Sequence, residues 1–131
     1  MSLYELTELC SLGDERGSLV VIEGNQHVPF DVKRVYYIYE TESGISRGFH
    51  AHKTLQQFAV CVAGSCRLLL DDGNKKQIVE LNSPEKGVLI DKMIWHEMYD
   101  YSTDCVMLVL ASDHYDESDY IRDYEKFMKV A

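Results

Sequence analysis

Two histidines, His50 and His52, stand two residues apart in the stretch Arg47-Gly48-Phe49-His50-Ala51-His52. On a β-strand, side chains at i and i+2 point to one face. The spacing therefore aims both imidazoles into one site. An imidazole moves protons near neutral pH and is also a common metal ligand. The pair marks either a proton-transfer site or a metal centre. The bland alternative is a pair of hydrogen-bonded core histidines. Two of them beside Arg47 and Gly48 weigh toward function.

The elements that must hold this pair read as strands. Short apolar runs recur at Ser18–Glu23, Val32–Tyr39, Arg47–His52, Gln57–Val62, Ser65–Asp71, Lys76–Leu81, Gly87–Ile90, Ile94–Tyr99 and Cys105–Ser112. Turn signals separate them at Glu23-Gly24-Asn25, Ser43-Gly44, Ala63-Gly64, Asp72-Gly73-Asn74 and Asn82-Ser83-Pro84. Asp72-Gly73 between apolar runs predicts a hairpin. Only the C-terminus predicts a helix, capped by Asp116 or Ser118, with Tyr120, Tyr124, Phe127 and Met128 on one docking face. Many short strands imply an all-β sandwich or barrel, whose mouth gathers inward residues from several strands.

Bulk properties narrow the partners. The 131 residues suit one domain spanning 1–131, and 46% hydrophobic residues suffice for a core without metal or disulfide staples. A net charge of −9 argues against nucleic acid, which needs a basic footprint. No apolar run approaches the roughly 18 residues of a membrane span. Met1-Ser2-Leu3-Tyr4-Glu5-Leu6 shows no signal-peptide pattern, so a cytosolic protein is expected. Cys10, Cys61, Cys66 and Cys105 lack any Cys-x-x-Cys pairing; free, mostly buried thiols are expected.

His-x-His, a polar residue four or five positions on, and Gly64 seven beyond that resemble the first motif of the cupin superfamily. In metal-binding cupins the polar residue is Glu. Here it is Gln57, and an amide oxygen is a much poorer ligand for a transition metal than a carboxylate. The second motif should supply a histidine after Pro-x-Gly. The matching stretch, Gly87 to Met93-Ile94-Trp95-His96, lacks that signature and carries its histidine about two positions early. The pair therefore reads as acid–base machinery without a metal.

The resemblance runs further. Arg16-Gly17-Ser18-Leu19, Ile22-Glu23, Pro29-Phe30, Lys33-Arg34-Val35-Tyr36-Tyr37-Ile38, Arg47 to Lys53, Gly64-Ser65-Cys66, Leu70-Asp71-Asp72-Gly73, Trp95-His96-Glu97-Met98 and Tyr115 to Arg122 occur in order. Together they resemble the nucleotide-sugar 3,4-ketoisomerases, especially the fucosamine-pathway type. The first twelve residues add nothing to the match. The resemblance implies a cupin-type jelly-roll barrel with a short C-terminal helix. It implies a bacterial enzyme needing neither metal nor cofactor. Its substrate would be dTDP-4-keto-6-deoxy-D-glucose, whose ketone moves from C4 to C3 with galacto configuration favoured. The 3-keto product would feed 3-amino-3,6-dideoxy sugars for surface glycans. It further implies a homodimer that exchanges N-terminal strands, and a catalytic base at His50.

The residues suit that reaction. The C3 hydrogen is acidic beside the C4 ketone, and a neutral imidazole near pKa 6.5 can remove it. His50 is the expected base, with His52 on the same face as proton shuttle. Tyr37 and Arg47 are candidate donors to the enediolate oxygens. Strict alternation, however, puts Arg47 opposite His50 unless Gly48 makes a bulge. Of Tyr36 and Tyr37, only one should point inward. Arg16, Arg34, Arg47 and Arg67 form the pool for the diphosphate. Gln57 could bind sugar or orient His52. Trp95 and His96 read as structural neighbours of the pocket, and His27 and His114 as solvent-facing. Two other readings are a nucleotide-sugar 3,5-epimerase, whose members are longer and pair a histidine with an acidic residue, and a non-catalytic sugar- or metal-binding cupin.

Overall fold

The computed structural model describes residues 2–42 and 44–131. Of the expected Ser43-Gly44 turn, Ser43 lies outside the described residues. The strands are β1 Leu6–Glu8, β2 Ser11–Asp14, β3 Gly17–Val20, β4 Arg34–Ile38, β5 Arg47–His52, β6 Gln57–Ala63, β7 Cys66–Asp71, β8 Lys76–Leu81, β9 Lys86–Ile90, β10 Trp95–Tyr99, β11 Val106–Ala111 and β12 Tyr120–Ile121. A 3-10 turn, Glu117–Asp119, precedes β12, and helix α1, Tyr124–Val130, closes the chain. All strand pairings are antiparallel, in two five-stranded sheets ordered β1-β9-β6-β11-β4 and β12-β5-β10-β7-β8. This is the expected jelly-roll barrel.

Alternation explains the packing. Along β7, Cys66, Leu68 and Leu70 are buried while Arg67 faces out. These side chains meet Ala59, Cys61, Met107 and Val109 of the facing sheet in one core. Each large aliphatic group buried there contributes roughly 1.5–3 kcal/mol. Cys61, Cys66 and Cys105 are buried free thiols within this core, and Cys10 is an exposed one. The β7–β8 hairpin turns at Asp72-Gly73. The Asp72 carboxylate accepts from the amides of Asn74 and Lys75, each at 2.8 Å, and Gly73 takes a φ of +93° that other residues resist.

Three expectations need correction. Two strands precede the first expected one: β1 lies in the N-terminal dozen residues, and β2 straddles their end and pairs with β3 in a separate hairpin. The C-terminal helix starts later than expected. Asp116 caps the 3-10 turn, Tyr120 pairs with His52 as a strand residue, and Asp123 caps α1 by accepting from Glu125 and Lys126. Met128 is 43% exposed and stands outside the docking face. That face is Tyr124 and fully buried Phe127, whose rings lie 5.1 and 5.8 Å from Trp95. Among the described residues, no helix is long and apolar enough to cross a membrane.

Candidate active site

The strand carrying the histidines departs from regular pleating at one point. Gly48 has φ +93° and Phe49 φ +60°. Arg47 pairs with Met98 and Gly48 with Glu97, but His50 pairs with His96, leaving Phe49 without a partner in a β-bulge. A Cβ on residue 48 would stand 2.9 Å from the His96 carbonyl oxygen, so only glycine fits this close approach. The bulge resets the alternation. Arg47 and His50 now line the same cavity, of about 280 Å³, with Arg34, Tyr36, Ile38, Gly48, Met98, Tyr120 and Arg122.

Behind His50 lie two further imidazoles. His52 is 2% exposed and His96 1%. Ring centroids are 4.9 Å apart for His50–His52, 4.6 Å for His50–His96 and 6.0 Å for His52–His96. The structure thus makes His96 a third member of the cluster, where the sequence suggested a mere neighbour. Trp95, by contrast, faces α1 and donates to Glu97 at 2.9 Å.

Tautomers follow from the partners. A carbonyl oxygen only accepts, so His50 Nδ1 donates to Gly48 O at 3.1 Å and His96 Nδ1 donates to Ile94 O at 3.2 Å. Each ring keeps an unprotonated Nε2. Burial, the main cause in each case, pulls His50 below the usual histidine range, His52 down to about 4 and His96 to about 3. All three rings are therefore neutral at pH 7. Of the three, only His50 lines the cavity; His52 borders a smaller void of about 30 Å³ with Thr54, Leu55, Asp119 and Tyr120.

Strand β4 supplies the facing wall. Tyr36 points inward and lines the cavity, whereas Tyr37, expected there as a donor, points outward and is 63% exposed. Tyr36 Oη accepts from Gln57 Nε2 at 2.7 Å, which leaves its own hydrogen free to donate. Burial pushes its phenol up to about 12, so it stays protonated. Gln57 is buried and acts on Tyr36. Arg34 and Arg47 line the cavity without a carboxylate partner among the described residues.

The other two arginines lie elsewhere. Arg67 faces out from β7, 3.5 Å from Asp100, because alternation carries it away from the core. Arg16 sits at the tip of the β2–β3 hairpin, bound to Asp14. Sequence reading missed Tyr120 and Arg122. The Tyr120 ring lies 4.9 Å from His50 and 4.4 Å from His52, and the Arg122 guanidinium covers that ring at 4.2 Å while pairing both oxygens of Glu117. Assigning Tyr120 to a helix face hid it.

Among the described residues two groups bring three possible metal ligands within 4.8 Å of one another: the core thiols Cys61, Cys66 and Cys105, and the three histidines, of which His50 lines the cavity. A cupin centre adds a carboxylate. Here that position is Gln57, whose Nε2 donates to Tyr36 and whose unpartnered Oε1 is an uncharged amide oxygen, while Asp119 accepts from Thr54 and Leu55 and faces only His52 of the three rings. The donor set lacks its anionic ligand and does not fit a cupin metal.

A neutral imidazole facing a cavity ringed by a phenol and unpaired arginines is equipped to move a proton on an anionic substrate. A family model described as "FdtA: WxcM-like, C-terminal" matches residues 2–131. The chain belongs to this family. The TDP-4-oxo-6-deoxy-alpha-D-glucose-3,4-oxoisomerase of Aneurinibacillus thermoaerophilus is 59% identical over 116 residues, 88% of this chain and 84% of the relative. A 3,4-ketoisomerase from Helicobacter canadensis superposes with TM-score 0.95 at 42% identity, covering 99% of this chain and 98% of that one. A histidine-to-asparagine mutant of the 3,4-ketoisomerase QdtA from Thermoanaerobacterium thermosaccharolyticum, in complex with TDP-4-keto-6-deoxyglucose, superposes with TM-score 0.96 at 41% identity, covering 100% and 95%. The chain belongs with these 3,4-ketoisomerases by descent and is an isomerase.

Proposed function

We propose that the enzyme converts dTDP-4-keto-6-deoxy-D-glucose to the 3-keto isomer. The observation that carries this reading is His50: it alone of the three imidazoles meets the cavity, with Nδ1 engaged on Gly48 and Nε2 free. His50 Nε2 takes the C3 proton. The C–H electron pair becomes the C3–C4 double bond, and the C4 carbonyl becomes an enolate oxygen. A proton passes from O3 to O4, a proton returns to C4, and the ketone stands at C3. Electrons and protons balance within the sugar. Tyr36, and Arg47 across the bulge, donate to the developing oxyanion; in a dry site such a donor is worth about 3–4 kcal/mol. Arg34 and Arg47 supply cations for the diphosphate.

Three finer features belong to the same reading. The product has galacto configuration at C4, on the resemblance to the fucosamine-pathway type. The 3-keto sugar goes on to amination at C3. The chain works in the cytoplasm as a homodimer that exchanges its N-terminal hairpin. The hairpin pairs only with itself and exposes Leu12 and Leu19, 54% and 55% accessible. A partner would cover these side chains, and Arg16 at the tip could then reach the partner's cavity. Sedimentation at twice the 15.1 kDa chain mass checks this; a monomer at assay concentration rules it out.

The deciding experiment is proton NMR of the wild-type protein with dTDP-4-keto-6-deoxyglucose in heavy water. The ketone should move to C3 with deuterium at C4, and a parallel run in light water should show the small H4–H5 coupling of the galacto product. Label at C5 with the ketone kept at C4 would instead establish an epimerase.

A further inference from the structure

The three imidazoles differ in what holds their Nδ1. His50 and His96 each face a main-chain carbonyl. His52 faces a carboxylate: its Nδ1 is 3.5 Å from Asp119 Oδ2. No other group satisfies either nitrogen of this buried ring. Asp119 is itself held rigidly. Its Oδ1 accepts from the Thr54 amide at 3.0 Å and the Thr54 hydroxyl at 2.8 Å, and its Oδ2 from the Leu55 amide at 3.1 Å. Its main chain is stitched down as well. Lys53 N donates to Asp119 O, and Asp119 N to Asp116 O. These bonds tie the carboxylate to the segment that leaves β5 directly after His52.

We propose that Asp119 is a positioning residue for the isomerisation, holding the Nδ1–H of His52 so that this buried ring, 4.9 Å from His50, keeps the base aimed into the cavity. The inference rests on the reaction proposed above and divides the labour within the cluster. A carbonyl orients a neutral ring, whereas a carboxylate also stabilises the ring once it has gained a proton. His52 is the one histidine of the cluster that a carboxylate faces, so Asp119 fixes the ring against which His50 packs. His50, at the cavity, works on carbon. The 3.5 Å separation exceeds a formed hydrogen bond, as such contacts often do before substrate closes the site.

The test uses Asp119→Asn and His52→Asn, singly and together, with the full-length protein. Asp119→Asn should lower kcat by about 100-fold with KM within about threefold. In the His52→Asn background it should cost less than about threefold, since both changes disable one unit. A loss under threefold in the single variant, or full additivity in the double, overturns the proposal. Nitrogen-15 histidine NMR of the wild type gives a second readout that needs no turnover. It should show His52 protonated at Nδ1; an Nε2–H tautomer overturns the proposal even if Asp119→Asn fails to fold. Wild-type turnover of dTDP-4-keto-6-deoxyglucose separately checks the reaction itself. If it fails while the Nδ1–H tautomer is found, the pairing stands and the assigned reaction falls.

Discussion

At the scale of single residues, His50 meets the cavity from β5 and Tyr36 meets it from β4. His50 and His52 were legible because period-two alternation is a local rule. Alternation also showed that Tyr36 and Tyr37 must face opposite ways, but it cannot say which way is in. That depends on β4 pairing with β11, 71 positions apart at Tyr37 and Leu108. The partners of His52 and His50, Asp119 and His96, were hidden for the same reason. The choice between the tyrosines is open to test. Tyr36→Phe removes the hydroxyl that takes the Gln57 hydrogen bond and donates to the cavity. Its loss should lower kcat by about 100-fold or more. Tyr37→Phe, on the outer face, should stay within about twofold. Steady-state kinetics on both variants decide it, and equal loss in both would return Tyr37 to the site.

At the scale of elements, most strands were legible, and the two lost ahead of β3 were lost for a physical reason. Strands such as β7 alternate buried and exposed residues and announce themselves. Strands β1, β2 and β12 have two to four residues and pair with remote partners or in an outlying hairpin, so no local pattern marks them. The bulge at Gly48 was foreseen only as a condition for Arg47 to join the site. It proves to be the feature that puts Arg47 and His50 on one wall. Gly48→Ala should therefore damage both folding and catalysis. The new Cβ would meet the His96 carbonyl at 2.9 Å at a φ of +93°, a strain of about 1–3 kcal/mol. Urea unfolding should show that loss, and relief by flattening the bulge would carry Arg47 away from His50. A variant with wild-type stability would mean that the bulge tolerates a side chain and is not fixed by this contact.

At the scale of the whole molecule, the buried imidazoles couple the site to stability. An unfolded histidine titrates near 6.5. In the fold, desolvation holds His52 near 4 and His96 near 3. Between about pH 6.5 and pH 4 the unfolded chain binds protons that the folded chain refuses. By linkage, unfolding free energy then falls as pH falls, and the stability from neutral burial is complete only above about 6.5. At pH 5 each of the two rings should cost about 2 kcal/mol relative to pH 7.5. The lowered carboxylates Asp14, Asp72, Asp116 and Glu117 act in the same direction, but mainly below their ordinary values of 3.8 for Asp and 4.5 for Glu, under the lowest pH of the test. The net charge of −9 works the other way, since approach to the isoelectric point near 4.9 relieves self-repulsion. That relief is spread over a screened surface, whereas the histidine cost is local and unscreened, so destabilisation should win. Urea midpoints at pH 7.5, 6.0 and 5.0 should fall in that order, and His96→Asn should flatten the slope by about half. A midpoint that holds level down to pH 5 would show that the rings accept protons in place, and would remove the neutral cluster on which the acid–base assignment depends.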